Sequence, residues 1–513
     1  MDLFSKKIVS NIALGTASLC LLLMAIRAYF SISFHIPLQL MTSGAEYESL
    51  FAIWKHVNEL TVYADHTRIP FAGSFYNWLY YYFYGEATGI ILKLFSLDDA
   101  WLPTITRLIT ITGAIYGAWI TRKLFYSFLP NSSNFLRNLG LSLAILIFLG
   151  PLMGFFGIAT QPDIWGFALD VTAVYFFLRF YEKRPLLAVI IFCLFAYLAW
   201  GFKQILVFST GAVGLFLFLR GDWRMLFALT CLSFVGWSAT LGLGTPQYIK
   251  TIISFGGSTV AFDSTQLIRN LSNLSIKIIP ILLGLLCVLV TIIFNKKLKI
   301  FLVEVNHSLR KKGSKPHIGL FFTGCFVTSI IAIPASAKLG SAENYYFLLS
   351  FFLSSLFLYI MFWVEKMIDW PDIISWPLSL GWMLQGLALC LVLVGAAGVI
   401  SKRPAHERNY QTSKCLANKD MRQPIFIASQ YLSLPWMVPA EQHFVIQTNY
   451  RWDKPRGIKM EGGGIGGLID KGYFASIAMI GNTYDGSNLQ HYRKRNEKCG
   501  AYAIFDRINS NGK

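Results

Sequence analysis

Apolar runs of around 20 residues, the length that crosses a bilayer as a helix, recur through most of the chain and are parted by short polar turns. They cover residues 8–33, 101–125, 139–158, 164–181, 185–202, 205–219, 225–243, 278–294, 318–334, 345–364 and 376–400. This pattern predicts an all-α, multi-spanning membrane domain over 1–400 with about 11 transmembrane helices. The pattern changes at 401, where polar residues and Gly/Asn turns take over. Short apolar runs at 424–428, 474–480 and 501–505 predict strands there, and 468–471 predicts part of a helix. The tail, 401–513, is therefore expected to form a small α/β domain.

Composition agrees with the membrane reading. Of 513 residues, 55% are hydrophobic and only 14% charged, against about 25% charged in a typical soluble domain. The formal net charge is +18. In a soluble chain that excess would point to nucleic acid. Here it concentrates in turns between spans: Arg122-Lys123, Lys183-Arg184, Arg220 and Arg224, and the 296–315 loop. Orientation by the positive-inside rule and contact with membrane lipid explain it better, so no nucleic-acid partner is expected. Lys6 and Lys7 place the N-terminus in the cytoplasm, and an odd number of spans leaves the tail domain extracytoplasmic. The eight cysteines include no CxxC or Cys/His cluster, which gives zinc and redox chemistry little footing. Cys415 and Cys499 are the two in the tail. In an oxidising compartment they either pair and tie its ends together or remain free thiols.

The longest polar interruption in the first half is 43–84, within the external loop 34–84. It carries Glu46, Glu48, Glu59 and Asp65, a Pro-marked turn at Pro70, then Phe75, Tyr76, Trp78 and a run of aromatics to Tyr84. Rings with a polar tip suit a membrane–water boundary, so an interfacial helix is expected over 70–84, after a short helix at 49–59. Other candidates also stand at the outer ends of spans. Asp163 follows Thr160-Gln161-Pro162; an ordinary first-turn acid would look the same. Lys203-Gln204 breaks the positive-inside trend, either to meet a phosphate or by snorkelling. The loop from Ala335 to Tyr346 offers Lys338, Ser341, Asn344, Tyr345 and Tyr346. It is either a Gly turn with an Asn cap or an anion cradle of backbone N–H groups and one cation. The run Gly462-Gly-Gly-Ile-Gly-Gly467 satisfies GxGxxG, but without a clear βαβ context it is expected to be a flexible turn. No HExxH, Walker A or serine-nucleophile motif is present.

The carboxylate after the first span, the short helix, the Val62-Tyr63-Ala64-Asp65 turn and the Pro/aromatic segment together resemble the first external loop of the GT-C superfamily. These are multi-spanning glycosyltransferases that use polyprenyl-phosphate sugars; protein mannosyltransferases and aminoarabinose transferases are examples. The Gln161-Pro162-Asp163 turn resembles the second acidic site of that superfamily. The Gly340-Ser341-Ala-Glu-Asn-Tyr-Tyr346 run resembles its late external loop near the donor phosphate. The resemblance covers about 1–400 and implies a GT-C-like transferase at the outer face of a cytoplasmic membrane. It would move a sugar from polyprenyl phosphate to a glycan, lipid or protein acceptor. Glu46 is implied as the catalytic carboxylate, with Glu48 as a second candidate and Asp163 as its distant partner. Lys203, Gln204, Lys338, Ser341, Asn344, Tyr345 and Tyr346 are implied on the substrate side. The resemblance fixes no cofactor, and a divalent metal is compatible with it. The rival readings are a transporter or flippase of lipid-linked glycans, which predicts internal repeats, and a glycan polymerase.

Overall fold

The computed structural model describes residues 6–508 except 39–44, 258–261, 312–313, 339–340, 368–371, 402, 430–431, 433, 435, 437–443, 445–449, 451–453 and 455–456. Gly340, residues 43–44 of the first loop and residues 312–313 of the 296–315 loop lie outside the described residues. The helices are α1 (Lys6–Ile32), α2 (Ala45–Val57), α3 (Trp78–Leu94), α4 (Leu102–Ser127), α5 (Asn134–Leu149), α6 (Asp163–Phe180), α7 (Pro185–Phe202), α8 (Phe208–Leu219) and α9 (Trp223–Leu243). They continue with α10 (Pro246–Gly257), α11 (Ser264–Lys277), α12 (Ile279–Phe294), α13 (Leu298–Arg310), α14 (His317–Ala335), α15 (Phe347–Met367), α16 (Asp372–Ser401) and α17 (Arg403–Ala417). The tail adds β1 (Ile425–Ile427), α18 (Gly464–Asp470), β2 (Ser476–Met479), β3 (Tyr492–Cys499) and β4 (Tyr502–Arg507). The chain is about 70% helical.

Each of the eleven long apolar stretches of 1–400 contains a helix, but the expected number of spans is not reproduced. Among the described residues six helices are long and apolar enough to cross a membrane, or seven if the α11–α12 pair, bent by 76°, is one span. The shortfall has local causes. Helices α5 and α8 are only 16 and 12 residues long. Helix α6 carries Asp163, Asp170 and Arg179, and α4 carries Arg107, Arg122, Lys123 and a run of threonines. Two loop helices also shift: α2 begins before the expected 49, and α3 begins only at Trp78. The aromatic run does not lie flat on a boundary: Tyr80, Tyr81 and Tyr84 are buried, and among residues 78–84 only Tyr82 is half exposed.

Helix α15 is the axis of the bundle. It is apolar on all sides and 94% of its span is buried, as expected for a helix surrounded by others. Its Ser350, Ser354 and Ser355 hydroxyls donate to carbonyls one turn back, which satisfies them without a partner helix. Close approach elsewhere depends on Gly117 of α4, where a Cβ would come within 2.0 Å of the Phe148 ring. Phe148 in turn stacks on Phe167 of α6 at 4.5 Å. Helix α9 is the opposite case, with 6% of its span buried.

The alternation of the helices gives the bundle two ends. Lys6 at the start of α1 bonds Glu365 near the end of α15 at 3.1 Å. At the other end, the turns before α6 and α15 meet the exits of α1 and α7. We call this the site end.

The tail forms a four-stranded sheet of order β1-β2-β4-β3. Strands β1 and β2 are parallel, Phe426 opposite Ile477, while β2–β4 and β4–β3 are antiparallel. The β1-to-β2 crossover contains α18, so the glycine run is more ordered than expected. Gly462, Gly463 and Gly464 take positive φ of 66°, 89° and 75°, and the run then enters α18. A disulfide joins Cys415 on α17 to Cys499 at the end of β3. The domain is not closed on itself. Phe71 of the first loop is fully buried in its core, 5.4 Å from Tyr450 and 6.3 Å from Phe444. Glu461 holds the same loop twice, accepting from the Ile69 N–H at 3.0 Å and donating its own N–H to the Thr67 carbonyl at 2.9 Å.

Candidate functional site

Two charged constellations organise the site end. The first is a clamp. Arg107 of α4 and Glu46 of α2 are 0% and 1% exposed. The guanidinium donates to both carboxylate oxygens, Nε to Oε1 at 2.9 Å and Nη2 to Oε2 at 3.0 Å. Its remaining N–H groups reach the carbonyls of Ser31, Phe34 and Ile36 at 2.5–2.7 Å. Glu46 also accepts the backbone N–H groups of Leu38 at 2.6 Å and Thr160 at 3.0 Å. Arginine's rigid fork suits such a bidentate contact. A charge pair out of water is tolerable only when its other hydrogen-bonding capacity is filled, and here it is. The clamp thereby fixes the exit of α1, the start of α2 and the Thr160 turn that leads into Asp163.

The second constellation is open. Asp163 opens α6 and is 4% exposed. Its Oδ1 accepts from Lys203 Nζ at 2.6 Å and from Asn344 Nδ2 at 2.8 Å. Tyr76 of the first loop donates to Gln161 Oε1 at 3.0 Å, and Lys203 lies 5.9 Å over its ring. Burial holds the Tyr76 hydroxyl well above its ordinary pKa, and the charges of Asp163, Glu48 and nearby tyrosines, Tyr345 among them, push the same way. Tyr76 therefore stays a neutral donor. Three buried polar atoms at this point lack a hydrogen-bond partner: Asp163 Oδ2, Asn344 Oδ1 and Gln161 Nε2. Buried polar groups are nearly always paired, so two acceptors and one donor converging without partners mark a place built to meet a ligand. Asn344 Nδ2 faces the carboxylate, which fixes its Oδ1 as an acceptor.

Local structure sets each of these side chains. Pro162 stops the preceding turn and leaves Asp163 in the first turn of α6, where the helix dipole favours a carboxylate. Helix α7 ends at Phe202, and the break at 203–207 before α8 leaves Lys203 free of either helix. Gln204 braces the first loop, its Nε2 donating to the Phe75 carbonyl at 2.7 Å. Asn77 caps α3 and ties it to α7 through the Trp200 carbonyl at 2.8 Å. Tyr63 donates to the Tyr76 carbonyl at 2.9 Å.

The sequence candidates therefore divide. Asp163, Lys203, Asn344 and Tyr345 meet, with Glu48 across Tyr76 and Gln204 one contact away. Glu46 is consumed by Arg107. Ser341 and Tyr346 belong to a separate bracing network: Asn270 of α11 donates to Ser341 Oγ at 3.1 Å and to the Ser336 carbonyl at 2.9 Å, and Tyr346 pairs with Ser336. Lys338 pairs by its backbone with Phe262 in a single β-bridge. Sequence reasoning did not select Arg107, Tyr76 or Gln161. Arg107 is a lone cation inside an apolar stretch, a signal that was available. Tyr76 is one aromatic among many, and nothing in the sequence singles it out.

No family model matches the chain, and no curated protein matches it. Among the described residues no group of three or more His, Cys, Asp or Glu side chains could hold a metal ion. The open oxygens of Asp163 and Asn344 alone do not make a metal site, so no step is derived through a metal.

Proposed function

We propose that the chain is a membrane glycosyltransferase that moves a sugar from a polyprenyl-phosphate donor to an acceptor hydroxyl. The observation that carries this reading is the convergence of Asp163, Lys203, Asn344, Gln161 and Tyr76 from four separate segments, with partnerless polar atoms at their centre. The resemblance of the first loop and of the 340–346 run to GT-C enzymes supports the same class.

The chemistry needs a carboxylate to take the acceptor proton, hydrogen bonds to hold the sugar, and a cation to oppose the leaving phosphate. In this reading Asp163 Oδ2 accepts the proton as the acceptor oxygen attacks the anomeric carbon. The bond from that carbon to the phosphate oxygen breaks, and polyprenyl phosphate leaves with the electron pair, its charge met by Lys203. Asn344 Oδ1 and the Gln161 amide orient sugar hydroxyls. Glu46 positions the Asp163 turn through Thr160 and does not touch the substrate; Glu48 is the remaining carboxylate of the pocket.

The membrane is the cytoplasmic membrane, with Lys6 inside and the α17–β4 domain outside, and all eleven apolar stretches contribute to the embedded bundle. The Lys6–Glu365 contact supports this, since it puts the N-terminus and the turn after α15 at the same end of the bundle. Labelling of single cysteines at Asn409 and Lys299 from opposite sides of sealed vesicles tests the topology. Transfer of labelled sugar from polyprenyl phosphate, with wild-type and Asp163→Asn membranes, tests the chemistry. A transporter would move the lipid-linked glycan across the bilayer without releasing polyprenyl phosphate.

A further inference from the structure

At the end opposite the site, the segment from the close of α12 to the start of α14 carries a surface that the transfer reaction does not use. Residues 295–317 contain Lys296, Lys297, Lys299, Arg310, Lys311, Lys312 and Lys315 against a single acid, Glu304. Glu304 offsets at most one of these charges, and its carboxylate is turned to Tyr359, whose hydroxyl donates to it at 3.0 Å. Among the described residues none of these cations forms an ion pair.

The segment is held in shape. Arg220 donates to the carbonyls of Ser308 at 3.3 Å and Ser314 at 2.6 Å. Ser308 Oγ donates to the Lys315 carbonyl at 2.7 Å and accepts the Gly319 N–H at 3.0 Å. Phe301 and Val305 anchor α13 to the bundle. These bonds keep the described cations of the segment on one ledge. Exposed apolar side chains share the ledge: Phe294 is 78% exposed and Leu302 54%. Cations flush with apolar groups beside the end of a membrane helix match the boundary between acyl chains and headgroups. A soluble polyanion would leave those apolar groups in water.

We infer that the α13 ledge is a binding surface for anionic phospholipid headgroups, which seats this end of the bundle in an acidic leaflet. The inference does not depend on the chemistry at the site end. One cation near an anionic surface contributes about 1 kcal/mol, roughly fivefold in association, and the effect falls as salt shortens the Debye length.

The test uses the full chain in phosphatidylcholine vesicles with spin-labelled phosphatidylglycerol or phosphatidylcholine as probes. The expected result is enrichment of phosphatidylglycerol at the protein that drops at least roughly fivefold in K296Q/K297Q/K299Q and stays unchanged in the charge-matched control R493Q/K494Q/K498Q, on exposed positions of β3. Wild-type protein should lose the enrichment as salt is raised, a measurement that needs no variant and so is immune to misinsertion. Enrichment that survives both the triple substitution and high salt overturns the proposal. So does a triple variant that keeps its lipid preference while losing affinity for tRNA or polyglutamate, since the ledge would then take a soluble polyanion.

Discussion

Replacing Glu46 by Gln should unfold the site end rather than disarm it. The carboxylate accepts four hydrogen bonds: two from the Arg107 guanidinium and two from the backbone N–H groups of Leu38 and Thr160. A glutamine amide supplies one acceptor oxygen and turns an NH2 toward donors. Arg107, with no exposure to water, is left as an uncompensated buried cation. Breaking such a pair costs about 3–5 kcal/mol, a large part of a typical total stability of about 5–15 kcal/mol. The assay is denaturant unfolding in micelles, followed by tryptophan fluorescence. The double substitution Glu46→Leu with Arg107→Leu should cost less than the sum of its singles, because it removes the orphaned charge. Contacting residues show couplings of about 0.5–3 kcal/mol. If Glu46→Gln unfolds at the wild-type midpoint, the clamp is not structural and Glu46 returns as the candidate base.

Lys55, buried on α2 with its ammonium on the Val62 and Ala72 carbonyls, is pushed by burial down to about 7 from 10.5. The folded state therefore binds fewer protons than the unfolded state between those values. Stability should rise with pH from about 7 to 10.5, by at most about 1.4 kcal/mol per pH unit, and Lys55→Met should flatten that slope in denaturation curves. Cys415 and Cys499 should appear as one cross-linked pair in non-reducing peptide maps. Their reduction should destabilise the tail domain by about 2–5 kcal/mol, seen as earlier proteolysis of 401–508 than of the bundle. Phe71→Ala should loosen the same domain by about 3–5 kcal/mol, because the ring fills its core from the first loop; unchanged protection of β2 and β4 in hydrogen exchange would refute that docking.

The apolar runs located the long helices of the bundle, since burial and lipid exposure both select apolar side chains, but not α10, α11 or α13, which lie in stretches read as loops. It did not count spans, because the threonines and arginines of α4 and the carboxylates of α6 are paid for by contacts far apart in sequence. Asp163, Lys203 and Asn344 were legible as polar residues at the ends of apolar runs, where a charge must be paired or wet. Glu46 looked identical by that criterion. What separates it is Arg107, sixty-one positions away, a pairing that only the fold reveals. Strand β3, Tyr-Arg-Lys-Arg-Asn-Glu-Lys-Cys, was invisible because an edge strand carries charge on both faces to discourage pairing with other chains. The short strands β1, β2 and β4 sit inside the sheet or under helices and kept their apolar signature.

The most direct test of the proposed chemistry is release of polyprenyl phosphate from a labelled sugar donor by purified wild-type protein and by Asp163→Asn, at matched folded amounts. The account predicts turnover in wild type and a loss of roughly 10²–10⁴-fold in Asp163→Asn, read per folded molecule because that variant also takes from Lys203 its carboxylate partner. Equal release by both proteins, or transport of the intact donor without release by wild type, would contradict it.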